Sequence, residues 1–332
     1  MKLYSGDFTS EIGQELIALV ESGVLTPIYR YSEFRLFDQD KLFELFIGEM
    51  LLKVDGNYQY VRVQDGDNRE AWALISESVY DSSIFGFKVG TVETAMVAEG
   101  FSGGHNILFT SIVGFAKKNF YRYLNLSLNT NDSSCPQFVN AAANSGFYYI
   151  NTLVTFGFTK QTFSDLNLDY KIDPEISVRF STPDDFEPLY RLAAKAYKID
   201  RYHLDNNLPK HHCDRIYSES LRNSFFDGFV DGILVATYHE EPIGYFSGKY
   251  RRVEELGITA GTGVISSVSP EHRGLGVFQA MNKALIEWLN QVSDFSEYGT
   301  YINNHPVHSV YIKSRMRMVR GALQMALYLP GN

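Results

Sequence analysis

The sequence predicts an α/β (α+β) protein of two similar units, each a mixed sheet with flanking helices, and three observations carry that prediction. Its 332 residues exceed one ordinary domain, for which about 150 residues is the usual scale. From Tyr58 onward, segments of alternating apolar residues interleave with segments of helical spacing, as in mixed α/β folds. An ungapped shift of 169 positions places Ser145-Gly146-Phe147 under Ser314-Arg315-Met316. The same shift sets Phe109, Ile112, Phe115, Ala116 and Phe120 under Phe278, Met281, Ala284, Leu285 and Leu289. This preserved stripe points to a tandem duplication, although any two α/β units share helical spacing.

Along the chain, two amphipathic helices come first: Ser10 to Gly23, with Ile12, Leu16, Leu19 and Val20 inward, and Gln39 to Lys53, with Leu42, Phe46 and Met50 inward. They are expected to pack on the body or to form a homodimer interface. A helix near Ile107 to Phe120, a strand at Tyr123 to Asn129, a helix near Pro136 to Asn144 and a strand at Tyr149 to Phe158 follow. The polar stretch Ser164 to Glu175 is the expected boundary. The second unit opens with a strand at Ile176 and a helix after Pro183, with Phe186, Leu189, Leu192, Ala193 and Ala196 inward. Strands near Phe229 to His239, Ile243 to Tyr250 and Ile258 to Val268 lead to a helix on Phe278, Met281, Leu285 and Leu289. A strand near Tyr298 to Ile302, a helix from Pro306 to Lys313 and a strand at Leu323 to Leu329 end the chain. The expected organisation is a helical segment over 1–54 and units over 55–170 and 176–332.

Composition narrows the class. Lys plus Arg number 30 against 39 Asp plus Glu, a net charge of −9, so no global positive field draws in nucleic acid or an anionic membrane. Hydrophobic residues make up 45%, with 22 Tyr and 24 Phe, enough for sizeable cores. Cys135 and Cys213 lie in different halves without metal-ligand spacing, so a reducing, cytoplasmic setting is expected and no metal site. His203, His211, His212 and Cys213 match no familiar zinc pattern. The amino terminus lacks a basic segment followed by an apolar stretch, and no long apolar run occurs.

Val268-Ser269-Pro270-Glu271-His272-Arg273-Gly274-Leu275-Gly276-Val277-Phe278 runs from a strand end through a glycine turn into a helix. Helix N-terminal N–H groups lack intrahelical partners and sit at the positive dipole end, so such a turn can hold a pyrophosphate. An ordinary glycine bend is the other reading. Between Arg201 and Asn223, the residues Arg201, His203, Asp205, His211, His212 and Arg222 concentrate donors suited to phosphates and hydroxyls. A solvated loop and helix face would look the same. Asn304 and Tyr311, seven residues apart, return nearly to one helix face. Asn304 also suits an N-cap before Pro306, and Tyr311 a core aromatic.

The glycine turn resembles the acyl-CoA signature R/Q-x-x-G-x-G/A of the GCN5-related N-acetyltransferase (GNAT) superfamily. Phe278 stands where that signature has Gly or Ala. Element order over about 155 residues is similar to the same superfamily. A closer resemblance is to bacterial N-acetyltransferases of nucleotide-linked 4-amino-4,6-dideoxyhexoses, of the dTDP-fucosamine (dTDP-4-amino-4,6-dideoxygalactose) type. It rests on Tyr80-Asp81-Ser82-Ser83-Ile84-Phe85-Gly86-Phe87, on Asp200 through Asp205 with Tyr217 and Arg222-Asn223-Ser224, and on Asn304 through Tyr311. Ser220 stands where Trp is expected, and Arg315-Met316 where Gly-Phe is common.

This resemblance implies an acetyltransferase that uses acetyl-CoA as co-substrate, with Val268, Arg273, Gly274, Leu275, Gly276, Val277, Phe278 and Asn304 on the cofactor. It implies Tyr311 as the general acid for the departing thiolate and a backbone N–H near Val268 steadying the oxyanion. Arg201, His203, Asp205, Tyr217, Arg222 and Asn223 would hold a nucleotide-sugar substrate, in a reaction that serves polysaccharide biosynthesis. Glu240, Glu241 and His203 are candidate bases, beside attack by an amine already deprotonated. A different small amine or peptide acceptor, or a non-catalytic acyl-CoA-binding module, are the alternatives. At the 169 shift, Arg273, Gly276 and Tyr311 face Gly104, Ile107 and Ala142. The first unit is therefore expected to be degenerate, lacking both phosphate turn and acid.

Overall fold

The structure, a computed structural model, describes residues 1–331. In chain order the first half contains β1 (Lys2–Asp7), α1 (Ser10–Glu21), α2 (Gln39–Leu51), β2 (Tyr58–Gln64), β3 (Glu70–Glu77), α3 (Val79–Phe85), β4 (Val89–Val97), α4 (Gly104–Lys118), β5 (Tyr123–Asn129), α5 (Cys135–Asn144) and β6 (Tyr148–Thr159). The second half contains β7 (Ile176–Phe180), α6 (Phe186–Ala196), α7 (Arg201–Leu204), α8 (Lys210–Phe226), β8 (Gly232–Tyr238) and β9 (Glu241–Val253). It continues with β10 (Ile258–Val268), α9 (Val277–Val292), β11 (Phe295–Tyr301), α10 (His305–Lys313) and β12 (Arg317–Tyr328).

Two compact units divide the chain: Met1–Asn151 together with the segment from Gly321 onward, and Thr152–Arg320. The division does not fall at Ser164 to Glu175, and the last strand does not belong to the second unit. The reason is strand pairing. Unit 1 has the order β1-β2-β3-β4-β5-β12, antiparallel except for the parallel pair β4–β5. Unit 2 has the order β7-β8-β9-β10-β11-β6, antiparallel except for β10–β11. The plans are the same, but β6, which follows α5, pairs with β11, and β12, which follows α10, pairs with β5. Each unit thus takes its last strand from the other repeat.

Duplication is visible in the backbone as well. A shift of 169 carries the bounds of β6 onto those of β12. Gly146 and its counterpart Arg315 both adopt left-handed φ, +96° and +59°, a conformation that costs a non-glycine residue.

In unit 1, Leu108, Phe109, Ile112 and Ala116 of α4 pack with Phe138 and Ala142 of α5 over Leu124, Leu126 and Leu128 of β5. Phe120, expected to close that stripe, lies beyond the helix at φ +60° and is 83% exposed. The N-terminal residues 1–54 are no separate segment. Leu16, Val20, Phe46 and Met50 cover Trp72, Leu74 and Met96 on the sheet.

In unit 2, α9 covers one face through Val277, Met281, Leu285 and Leu289. On the other face Leu189 and Ala193 of α6 and Leu221 of α8 meet Val235 and Tyr245. Among the described residues no helix is long and apolar enough to cross a membrane.

Candidate active site

The site grows from the only parallel pair of unit 2. β10 and β11 pair from Ala260–Gly263 against Phe295–Tyr298, and the paired register ends there, while β10 continues along β9 to Val268 past a bulge between Gly263 and Ser266. In an antiparallel ladder, successive peptide groups face opposite sides. Ser269 N donates to Ile243 O at 2.8 Å, and Ile265 bonds Ser247 Oγ through both N and O at 3.2 Å. Ser266 and Val268 therefore present their peptide groups to the side β11 has left. The Tyr197 hydroxyl donates to Ser266 O there at 2.7 Å and lies 3.2 Å from Tyr245 Oη.

At the end of β10 the turn closes on two left-handed glycines, Gly274 at φ +86° and Gly276 at φ +89°, the latter the N-cap of α9. Arg273 and Gly274 are exposed, whereas Gly276 and Val277 are buried and Leu275 is half-buried. A Cβ on Gly276 would lie 2.7 Å from Lys171 O and 2.9 Å from Ile172 Cα, while one on Gly274 would meet nothing within 4 Å. Asp173 N also donates to Leu275 O at 3.0 Å. The close approach expected of a ligand is thus made by the chain itself. Phe278 points away from the turn, its ring 5.7 Å from Phe246 and 6.0 Å from Tyr311. Its bulk is spent in the core.

Asn304 is the N-cap position of α10, but its side chain does not cap the helix: Nδ2 donates to Thr300 Oγ1 at 3.0 Å. Tyr311 is 2% exposed. The rings of Phe156, Phe278 and Tyr298 stand 5.3, 6.0 and 6.0 Å from it. Burial, with a smaller contribution from Tyr170, pushes its phenol pKa up.

On the opposite face, α7 and α8 bring four of the expected acceptor residues together. His203 sits between two carboxylates, Nδ1 2.5 Å from Asp200 and Nε2 2.9 Å from Asp214. Both ring nitrogens face carboxylate oxygens, an arrangement that favours the protonated ring. Burial opposes that charge, but the hydrogen bonds outweigh it and the pKa lies above its ordinary value. Arg201 lies over the Tyr202 ring at 4.7 Å and donates to its hydroxyl at 2.6 Å. Asp205, 2% exposed, accepts from Asn207 N at 2.8 Å and ties the turn into α8. Tyr217 stacks on Tyr197 at 3.6 Å and 9°.

Arg222 and Asn223 are not part of this group. Arg222 is exposed and pairs with Asp227 at 3.2 Å, and Asn223 O accepts from Asp227 N at 3.0 Å, so both finish the C-terminal end of α8.

Sequence reasoning missed Tyr197 and Tyr245. Tyr197 is the C-cap of α6, and nothing local separates it from the other tyrosines. The first unit also starts its helix on a glycine, Gly103 at φ +71° being the N-cap of α4. The ungapped shift hid it because Val97 to Gly103 is six steps and Val268 to Gly276 is eight. Ala142, opposite Tyr311, is a core residue of that unit.

Residues 189–315 match the model of the acetyltransferase (GNAT) family. This match places an acetyltransferase (GNAT) domain within unit 2, and enzymes of that family take acetyl-CoA as co-substrate. The chain is similar over 100% of its length, and 100% of the other, to a tandem GNAT protein from the clavulanic acid biosynthesis pathway, at 11% identity and TM-score 0.57. A fungal multi-domain GH3 β-N-acetylglucosaminidase contains a GCN5-related glucosamine N-acetyltransferase region that matches 98% of this chain at 13% identity and TM-score 0.63, the match spanning 38% of the fungal chain. A GCN5-related N-acetyltransferase from Kribbella flavida matches 82% of this chain and 90% of its own at 12% identity and TM-score 0.50. At these identities the likeness is one of fold, and it agrees with the tandem plan. No curated protein matches the chain.

Proposed function

We propose that unit 2 moves an acetyl group from acetyl-CoA to a primary amine, carried by a nucleotide-linked amino sugar of the 4-amino-4,6-dideoxyhexose type. The parted edge of β10 carries the first half: beyond Gly263 the peptide groups of Ser266 and Val268 face a side without a strand partner, next to the glycine turn of α9. The second half is supported by the residue resemblance along α7 and α8, where Arg201 and Tyr217 remain with the site. The fungal neighbour, described as containing a glucosamine N-acetyltransferase region, supports an amino-sugar acceptor.

Acetyl-CoA supplies an acyl group activated as a thioester. The N–H groups of Val277 and Phe278 at the start of α9, which have no intrahelical acceptor, are the donors for its pyrophosphate, with Arg273 exposed beside them. The Val268 N–H donates to the developing oxyanion, a role that needs a fixed donor and no reorganisation. Tyr311 donates to the departing sulfur, and its raised pKa keeps the phenol protonated until then. The amine attacks either already deprotonated, its proton lost to water, or with Glu240, Glu241 or His203 as its base.

The test is a panel of acceptors with acetyl-CoA: dTDP- and UDP-linked amino sugars, the free sugars, spermidine and lysine peptides. A nucleotide-linked amino sugar is expected to be acetylated fastest, because the nucleotide adds remote binding energy and orientation. A peptide or free sugar as the best acceptor would overturn the sugar-nucleotide half.

A further inference from the structure

Residues 166–173 form an extended strap with alternate inward side chains. Leu166, Leu168, Tyr170 and Ile172 are half-buried, while Asn167, Asp169 and Lys171 face solvent. Leu166 and Leu168 pack on the core that holds Met281, Ile286 and Tyr311. The Tyr170 hydroxyl lies 2.5 Å from Ser314 Oγ at the end of α10 and accepts from Asn282 Nδ2 of α9 at 3.2 Å. Main-chain bonds fasten both ends, Asn167 N to Ser314 O at 3.1 Å and Asp173 N to Leu275 O at 3.0 Å. The strap therefore runs from the foot of α10, along α9, onto the glycine turn.

The exchanged strand explains why it runs there. β6 ends beside β11, whereas β7 lies five positions away at the opposite edge of the unit's sheet, roughly 24 Å at the usual strand spacing. Residues 160–175 must cross the α9–α10 layer to connect them. A second observation concerns what the strap covers. Asn282 and Tyr298 are 0% and 1% exposed, yet Asn282 Oδ1 and the Tyr298 hydroxyl have no hydrogen-bond partner. Buried polar atoms of this kind are rare in a finished core. Besides burial, the Tyr311 and Tyr170 phenols also raise the Tyr298 pKa, so these groups lie close together.

We infer that the strap and acyl-CoA compete for one groove: closed, the strap covers the phosphate turn and the Asn282–Tyr298–Tyr311 group, and it lifts when acyl-CoA binds. This rests on the reading of unit 2 as an acetyl-CoA site. A site open only part of the time binds with an affinity reduced by the open fraction. Loosening the strap therefore tightens binding.

Two measurements test it. Hydrogen exchange of the whole chain with and without acetyl-CoA is expected to show faster exchange over residues 166–173 when acetyl-CoA is bound; slower or unchanged exchange there would overturn displacement. Tyr170→Phe, which keeps the ring and deletes the hydroxyl, is expected to bind acetyl-CoA about two- to tenfold more tightly by isothermal titration, the worth of one hydrogen bond. Leu168→Asp, checked for an intact melting transition, is expected to gain at least as much. Weaker or unchanged binding in a folded variant means that the strap is a wall of the site rather than its competitor, and overturns the inference alone. Acetyl-CoA binding to none of the three proteins overturns the acetyl-CoA reading, and the strap inference with it.

Discussion

Tyr197 donates to the carbonyl of Ser266 at 2.7 Å on the edge of β10 from which β11 has parted. A buried phenol from the end of α6 thus satisfies a backbone acceptor that the ladder leaves open, on the same edge that carries Val268. Burial pushes the Tyr197 pKa well above its ordinary value, so it is a donor throughout. Tyr197→Phe should cost about 1–3 kcal/mol of stability by orphaning that carbonyl, read by urea unfolding. An unchanged midpoint would mean that water replaces the phenol.

His203 makes the loop of α7 pH-sensitive. Its folded pKa is raised, so the stability it contributes is fully present below the ordinary histidine value near 6.5 and is lost as pH rises through the higher folded value. Asp200 and Asp214 have lowered pKa values, because bonds to His203, and for Asp214 also Lys198, outweigh burial. Their contribution is present above the ordinary aspartate value and lost as pH falls through the lowered one. Melting temperatures should therefore decline on both flanks, and His203→Gln should flatten the alkaline decline. An alkaline limb identical in the variant would assign it to another group.

Two glycines separate backbone strain from contact. Gly274 and Gly276 have nearly equal φ, +86° and +89°, but only Gly276 meets the strap backbone. Gly274→Ala should cost about 1–2 kcal/mol from the left-handed conformation. Gly276→Ala should cost about 2–5 kcal/mol, since overpacking adds to strain. Equal losses in chemical denaturation would show that the strap yields freely.

Within the acceptor group, the structure divides residues that the sequence had put together. Arg222→Ala, which removes only an exposed pair with Asp227, should leave the KM for a nucleotide-linked amino sugar within about twofold, as surface pairs contribute little. Arg201→Ala should raise it by tenfold or more, the loss of a charge-assisted contact. A larger effect at Arg222 would move the nucleotide site to the far end of α8.

Much of this was legible in the sequence. Tyr123–Asn129 and Ile258–Val268 are strands with the bounds their alternation gives, and the glycine turn before α9 stands where its motif lies. The strand exchange was not legible, because β6 and β12 occupy equivalent places in the repeat and present similar faces, so no local pattern says which sheet receives which. Residues 166–173 read as a polar linker because only every second side chain points inward. Asn282 is a polar residue on α9 outside the apolar stripe of Phe278, Met281, Leu285 and Leu289, yet it is fully buried. Its burial makes sense only with a second layer above α9.

Acceptor-dependent release of free CoA thiol from acetyl-CoA, followed in wild type and in Tyr311→Phe, tests the central claim most directly. Release that requires an amine, yields an acetylated amine by mass, and falls about 10²- to 10⁴-fold in kcat in the variant while the Kd for acetyl-CoA stays within about threefold is the predicted result. Release independent of any amine, or no release at all from a protein that binds acetyl-CoA, would contradict acetyl transfer; a near-normal kcat in Tyr311→Phe would leave that tyrosine as a core aromatic and place the proton donor elsewhere.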